Sequence, residues 1–147
     1  MNELNKISER IEKAIANFNG SFMSDTKWRK FFNALIEQEI CVKEFNLKYM
    51  SDETIRQGSG VLFESKYEQY FTGNGFKDPG VGGPALFKEI EWIEFKDNVE
   101  FSRHHTNPEL SHKKRVQLVE PIRGLLDSLG QFEYDIDRNS LRLYGYK

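Results

Sequence analysis

The spacing of apolar side chains divides the chain into stretches of two different periods. Leu4, Ile7, Ile11, Ile15 and Phe18 recur every three or four positions, with Glu3, Glu9, Arg10, Glu12 and Lys13 off the stripe. Residues 2–18 are therefore expected to form an amphipathic helix, stopped by Asn19-Gly20. A second helix is predicted from a cap at Ser24 or Asp25 to about Glu37, with Trp28, Phe31, Phe32, Leu35 and Ile36 on a wide apolar face. Over residues 40–49 the period falls to two: Cys41, Lys43, Phe45, Leu47 and Tyr49 share one parity and Ile40, Val42 and Glu44 the other, which predicts a strand apolar on both faces near its start.

Seven of the eleven glycines fall between positions 58 and 83, with Pro79 and Pro84 beside them. Tight turns and a long irregular loop are expected there, with short strands at 61–64 and 67–71. Residues 86–95 read as a stronger strand whose apolar parity switches between Trp92 and Ile93, which a β-bulge or burial on both faces at one end would explain. Asn107-Pro108 then offers a helix cap and first position, followed by a stripe of Val116, Val119, Ile122, Leu126 and Leu129 that Gly130 ends. Pro121 inside that run predicts a kink or two abutting helices. Phe132, Tyr134 and Ile136, then Leu141 and Leu143, alternate with polar positions as a hairpin around 138–140. A turn at Arg138-Asn139 would set Asp135 opposite Arg142 and Ile136 opposite Leu141, while a slip by two residues keeps the same parity and leaves the register open.

Helices that flank a run of strands imply an α+β fold: two N-terminal helices, a mainly antiparallel sheet, a kinked C-terminal helix and a final β-hairpin. The chain reads as one domain over 1–147, with 1–20 open to being an N-terminal helical extension. Its 147 residues, 38% apolar and 30% charged, suffice for a core without a disulfide or structural metal. The single cysteine, Cys41, fits a reducing compartment. No apolar run approaches the ~20 residues of a bilayer span, and no secretory leader is evident, so a cytoplasmic location is expected.

The net charge of −2 conceals an uneven layout. Residues 58–101 carry four basic and eight acidic side chains, whereas 102–147 carry eight and six. That central acidity argues against general binding to phosphate backbones. His105, Glu109 and His112 have helical metal-ligand spacing, but Pro108 would leave His105 outside the helix, so surface histidines are the better reading. Glu64-Ser65-Lys66 matches the E-x-K of magnesium nucleases, a triplet expected by chance about 1.4 times in this composition and seen twice. Residues 73–84 lack the lysine and hydroxyl of a P-loop. Neither Cys41 nor Gly58-Ser59-Gly60 has the context of a nucleophile. No catalytic residue, metal or cofactor is expected. The basic segment 103–115 lacks interleaved aromatics for base stacking and reads as a solvated face, with nucleic-acid binding as an alternative.

What remains is the acidic run Glu89, Glu91, Glu94 and Asp97, with the loop residues Phe76, Lys77 and Asp78 beside it as a contact surface for a protein partner. Thr26-Lys27-Trp28-Arg29-Lys30-Phe31-Phe32, Gly82-Gly83-Pro84 with Glu89-Ile90-Glu91-Trp92-Ile93-Glu94, and Leu141-Arg142-Leu143-Tyr144-Gly145-Tyr146 resemble a family of short bacterial proteins of unknown function. That resemblance spans most of the chain after residue 24, implies no catalytic residues, and would place residues 2–18 outside the family core, covering an edge or mediating self-association. By size, acidity and architecture the chain is also similar to immunity proteins that neutralise a partner toxin. The expectation is a non-enzymatic immunity protein that occludes a basic toxin domain, with a small enzyme as a further alternative. The oligomeric state is left open.

Overall fold

Ser24 opens the predicted second helix where the pattern places it. In the computed structural model, which describes residues 9, 12, 13, 18, 20–63, 74–77, 85–102 and 114–147, the Ser24 hydroxyl accepts a hydrogen bond from the Lys27 amide at 3.2 Å. It thereby satisfies one of the donors that every helix start leaves open. Helix α1 (Asp25–Glu37) buries Trp28, Phe31, Phe32, Ala34 and Leu35. The Phe32 ring lies 5.4–5.6 Å from the rings of Trp28, Phe63, Phe76 and Phe87, drawing parts of the glycine-rich region onto the helix. Of the expected helix at 2–18, Glu9, Glu12 and Lys13 are helical and the rest lies outside the described residues, apart from a bend at Phe18.

Strands β1 (Glu44–Tyr49), β2 (Ile55–Ser59), β3 (Gly75–Phe76), β4 (Ala85–Leu86), β5 (Ile90–Lys96), β6 (Val99–Ser102) and β7 (Lys114–Gln117) follow. After them come helix α2 (Val119–Leu129) and strands β8 (Tyr134–Ile136) and β9 (Ser140–Tyr144). Five strands make one antiparallel sheet in the order β2-β1-β5-β9-β8, while β3–β4 and β6–β7 are separate two-stranded ladders. This is an α+β architecture, as the flanking helices require.

Strand periodicity sends alternate side chains to opposite faces. Phe45, Leu47, Ile93, Phe95, Leu141 and Leu143 join the buried residues of α1 and α2 in one cluster, so both helices cover the same face. Trp92 is only 5% exposed yet stands apart from that cluster, on the other face. The expected parity switch in β5 is a β-bulge, shifted upstream: Lys48 pairs with Trp92 and Tyr49 with Ile90, leaving Glu91 as the extra residue.

Three expectations need correction. Residues 61–64 were expected as a strand, but Gly60–Phe63 form a 3₁₀ turn that sets Phe63 into the core. Val116 belongs to a strand, so no helix runs from Pro108 through it to Leu129; α2 starts at Val119 and Pro121 falls in its first turn, where its missing N–H breaks no intrahelical bond. The mid-helix kink is therefore not needed. Strand β6 carried no prediction; it pairs with β7, Val99 opposite Gln117 and Glu100 opposite Val116. The strand expected at 67–71 lies outside the described residues.

Gln117, fully buried, fixes β7 to the sheet. Its Oε1 accepts from the amides of Lys43 and Glu44 at 2.7 and 3.1 Å, and its Nε2 donates to the Lys96 carbonyl at 2.9 Å. One side chain thus satisfies three backbone groups at the ends of β1 and β5, each costly to bury unpaired.

Candidate functional site

The buried residues of α1 and α2 cluster on one face of the sheet; the other, open face, which neither of them covers, carries the side chains of opposite parity, buried at Trp92 and exposed toward β8. Its cross-strand rows follow from the register. Ile55, Lys48, Trp92 and Tyr144 form one row; Gln57, Asn46, Glu94, Arg142 and Asp135 form the next. The hairpin expected at the C-terminus takes the register of the Arg138-Asn139 turn, with Asp135 opposite Arg142 and Ile136 opposite Leu141. Asp137 selects that turn, its Oδ1 accepting from the Asn139 amide at 2.8 Å and the Ser140 amide at 2.9 Å. Those donors, the Asn139 amide first, hold the Asp137 carboxyl below its ordinary pKa.

At the centre the Arg142 guanidinium lies 3.9 Å from the Trp92 ring centroid, a cation–π geometry. Arg142 Nε and Nη2 both donate to Glu94 Oε2, at 3.0 and 2.9 Å. Glu91, turned out by the bulge, accepts from Lys48 Nζ at 3.0 Å. Toward β8 the balance changes. Asp135 accepts from the Tyr144 hydroxyl at 3.0 Å, and among the described residues Glu133 and Asp135 share one cation, Lys147, at 3.4 and 3.7 Å. Burial and the neighbouring Asp135 carboxylate raise the Tyr144 pKa, keeping that hydroxyl a donor. A groove of about 250 Å³ runs here, lined by Glu94, Asp135, Asp137, Arg142 and Tyr144 among others. Carboxylates outnumber cations at this end, and their side chains are accessible, Glu133 at 42% and Asp135 at 60%.

The residues expected to form a contact surface divide differently. Glu91 and Glu94 do lie on the open face, each already paired with a cation. Glu89 is turned inward to local structure, its Oε2 accepting from the Leu86 amide at 2.8 Å. Asp97 accepts from the Val119 amide at 3.0 Å and so caps α2, whose own preceding residue, Leu118, offers no side-chain acceptor. Phe76 is 2% exposed and packs edge-on against Phe87 at 5.4 Å, so it cannot meet a partner at the surface. Lys77 is exposed, and Asp78 lies outside the described residues. Glu133 and Asp135 were not among the expected contact residues, although their strict alternation with Tyr134 and Ile136 already marked one acidic side of a hairpin.

Among the described residues no three histidines, cysteines or carboxylates converge as metal ligands. The carboxyls with displaced pKa values, Asp52 and Asp137, are held down by hydrogen bonds, first from the Thr54 and Asn139 amides, whereas a general acid would need one raised. Of the basic segment 103–115, Lys114 and Arg115 belong to β7 and the remainder lies outside the described residues, as do His105, Glu109, His112 and the Glu64-Ser65-Lys66 triplet. Among the described residues no helix is long and apolar enough to cross a membrane.

Comparison with known proteins gives a family. The model of DUF6678, described as a family of unknown function, matches residues 11–147, so the family extends further toward the N-terminus than the resemblance after residue 24 implied. No curated protein and no solved structure matches.

Proposed function

The chain belongs to the DUF6678 family, of unknown function, and on that footing we propose that it is a non-catalytic protein-binding module that docks a basic partner on the open face of its sheet. The observation that carries this reading is the division of the sheet. One face is consumed by the core, and the other ends at β8 and β9 in carboxylates that outnumber their cations. A surface of that kind steers a basic protein in and fixes its orientation. In its more specific form the partner is a basic toxin domain, such as a nuclease, which the chain neutralises by occlusion as an immunity protein does. The acidic rim at β8 and β9 supports it.

The test is growth of cells that express the basic toxin-like domains encoded near this gene, with and without the chain. Protection by the wild type, lost on reversing Glu133 and Asp135 to lysine, is the expected result. Binding in vitro should weaken about ten- to hundredfold in that double variant at low salt, and the difference should shrink as salt screens the charges. Equal protection by the double variant would remove this face from the reading, and no protection against any neighbouring product would remove the immunity role.

A further inference from the structure

Strand β8 is the outer strand of the sheet at the acidic end, and the hairpin register shows which way its backbone points. The Tyr144 amide donates to the Glu133 carbonyl at 2.9 Å and the Asp137 amide to the Ser140 carbonyl at 3.0 Å. Residues 133, 135 and 137 therefore direct their backbone groups inward to β9, and by alternation Tyr134 and Ile136 direct theirs outward. Among the described residues nothing meets these outward amides and carbonyls. Ile136 is itself 42% exposed. Glu133, Asp135 and Asp137 share one side of this edge, and Tyr134 and Ile136 the other.

We propose that β8 is a recognition edge that takes an additional antiparallel strand from the partner, with basic residues at alternate positions facing Glu133, Asp135 and Asp137 and apolar residues between them facing Tyr134 and Ile136. Outward donors and acceptors supply the ladder, and the two side-chain rows supply the sequence preference. The same acids exclude the simplest competitor, a second copy of β8. Antiparallel self-pairing through the outward groups sets Asp135 against Asp135 and Glu133 against Asp137, a like-charge row that disfavours edge-to-edge association. A basic strand turns that row from repulsion into attraction.

This inference rests on the basic-partner reading for the charge of the strand, and it adds the mode of contact. The probe is a short peptide alternating lysine and valine, titrated into the full chain and followed by amide NMR. A shuffled peptide with its lysines in one block carries the same charge without the alternation. In an antiparallel addition the residues opposite Tyr134 and Ile136 exchange both hydrogen bonds with them, so the valine amides face β8 and the lysine amides face away. The alternating peptide is expected to shift the Tyr134 and Ile136 amides. N-methylation of its valine amides should weaken binding at least about tenfold while N-methylation of its lysine amides changes it little. Ile136→Pro, which removes one outward N–H on an edge strand where proline is tolerated, should act like valine methylation. Should that variant fail to fold, the methylated peptides carry the test alone. If both methylated peptides bind alike, or the shuffled peptide binds as well as the alternating one, strand addition is wrong while the acidic docking face stands. If neither peptide binds, both readings fall.

Discussion

Tyr49 shows how far a residue's environment can depart from what its neighbours in sequence suggest. The alternation of 40–49 legibly sends it to the core side, but its hydroxyl is buried there with no hydrogen-bond partner. Burial first, and the Glu89 carboxylate second, push its pKa up from the ordinary 10.0 to about 12. The folded state therefore holds this proton more tightly than the unfolded chain does. Its stabilising contribution is full below the unfolded value and is lost as pH rises through the interval from about 10 to about 12. Tyr49→Phe is expected to flatten the fall in stability over that interval, and to leave stability at neutral pH unchanged or slightly raised because an orphan hydroxyl is removed. Chemical denaturation at stepped pH checks this; an unchanged alkaline fall would place the titration elsewhere. The candidate acids followed the same division between legible and hidden. Glu94 and Asp135 could be read from strand alternation and cross-strand pairing with Arg142. Asp97 could not, because the amide it caps belongs to Val119, 22 positions away, and Phe76 could not, because tertiary packing, Phe32 and Phe87 included, buries it.

At the scale of elements, strong periodicity survived and weak periodicity was overridden. Helix α1 and the β8–β9 hairpin are long or strictly alternating, and each carries its own boundary signal, the Ser24 cap that starts one and the Asp137 turn that folds the other. Strand β7, Lys-Arg-Val-Gln, has one apolar residue and no alternation to read. Gln117 commits it through three hydrogen bonds to distant backbone groups, and the helical stripe that seemed to include Val116 gives way. The bulge in β5 has a structural partner at the end of β9. The amides of Gly145 and Tyr146 both bond to the Glu91 carbonyl, at 2.8 and 3.2 Å, so β9 follows the bulge by a second irregularity of its own. Gly145 stands there because a Cβ would run into the Ile90 carbonyl, with the Trp28 ring only 3.3 Å away on another side. Gly145→Ala should therefore force β9 away from β5 and lower stability by about 1–3 kcal/mol, the range for an overpacked core position. Gly124→Ala, on the exposed side of α2 with open space at its Cβ, is the control and should be neutral or slightly stabilising. Urea titrations of the two variants decide it; similar midpoints would mean that the β5–β9 junction relaxes without strain.

For the whole molecule, the two-faced sheet separates what holds the fold together from the face proposed to meet a partner. Core and proposed docking face draw on alternate residues of the same strands, so neither composition nor net charge could distinguish them; only register and the β5 bulge assign each residue to a side. The separation has a consequence that runs in two directions. Phe32 joins rings from α1, the 3₁₀ turn at Phe63, β3 and the turn at Phe87, all on the core side. Phe32→Ala should cost about 3–5 kcal/mol, as truncation of a buried aromatic does. Because both helices and the sheet share one cluster, loss of helical signal and loss of aromatic packing should still coincide in a single transition. Under conditions where the variant remains folded, its affinity for the lysine–valine peptide should equal the wild type's. Reversal of Glu133 and Asp135, which loses the contacts to Lys147 and Tyr144 and sets a lysine opposite Arg142, should lower stability by only about 1–2 kcal/mol while weakening that affinity about ten- to hundredfold. If Phe32→Ala weakens peptide binding in its folded form as much as charge reversal does, the open face is held in shape by the core instead of merely sharing its strands, and the two faces act as one unit.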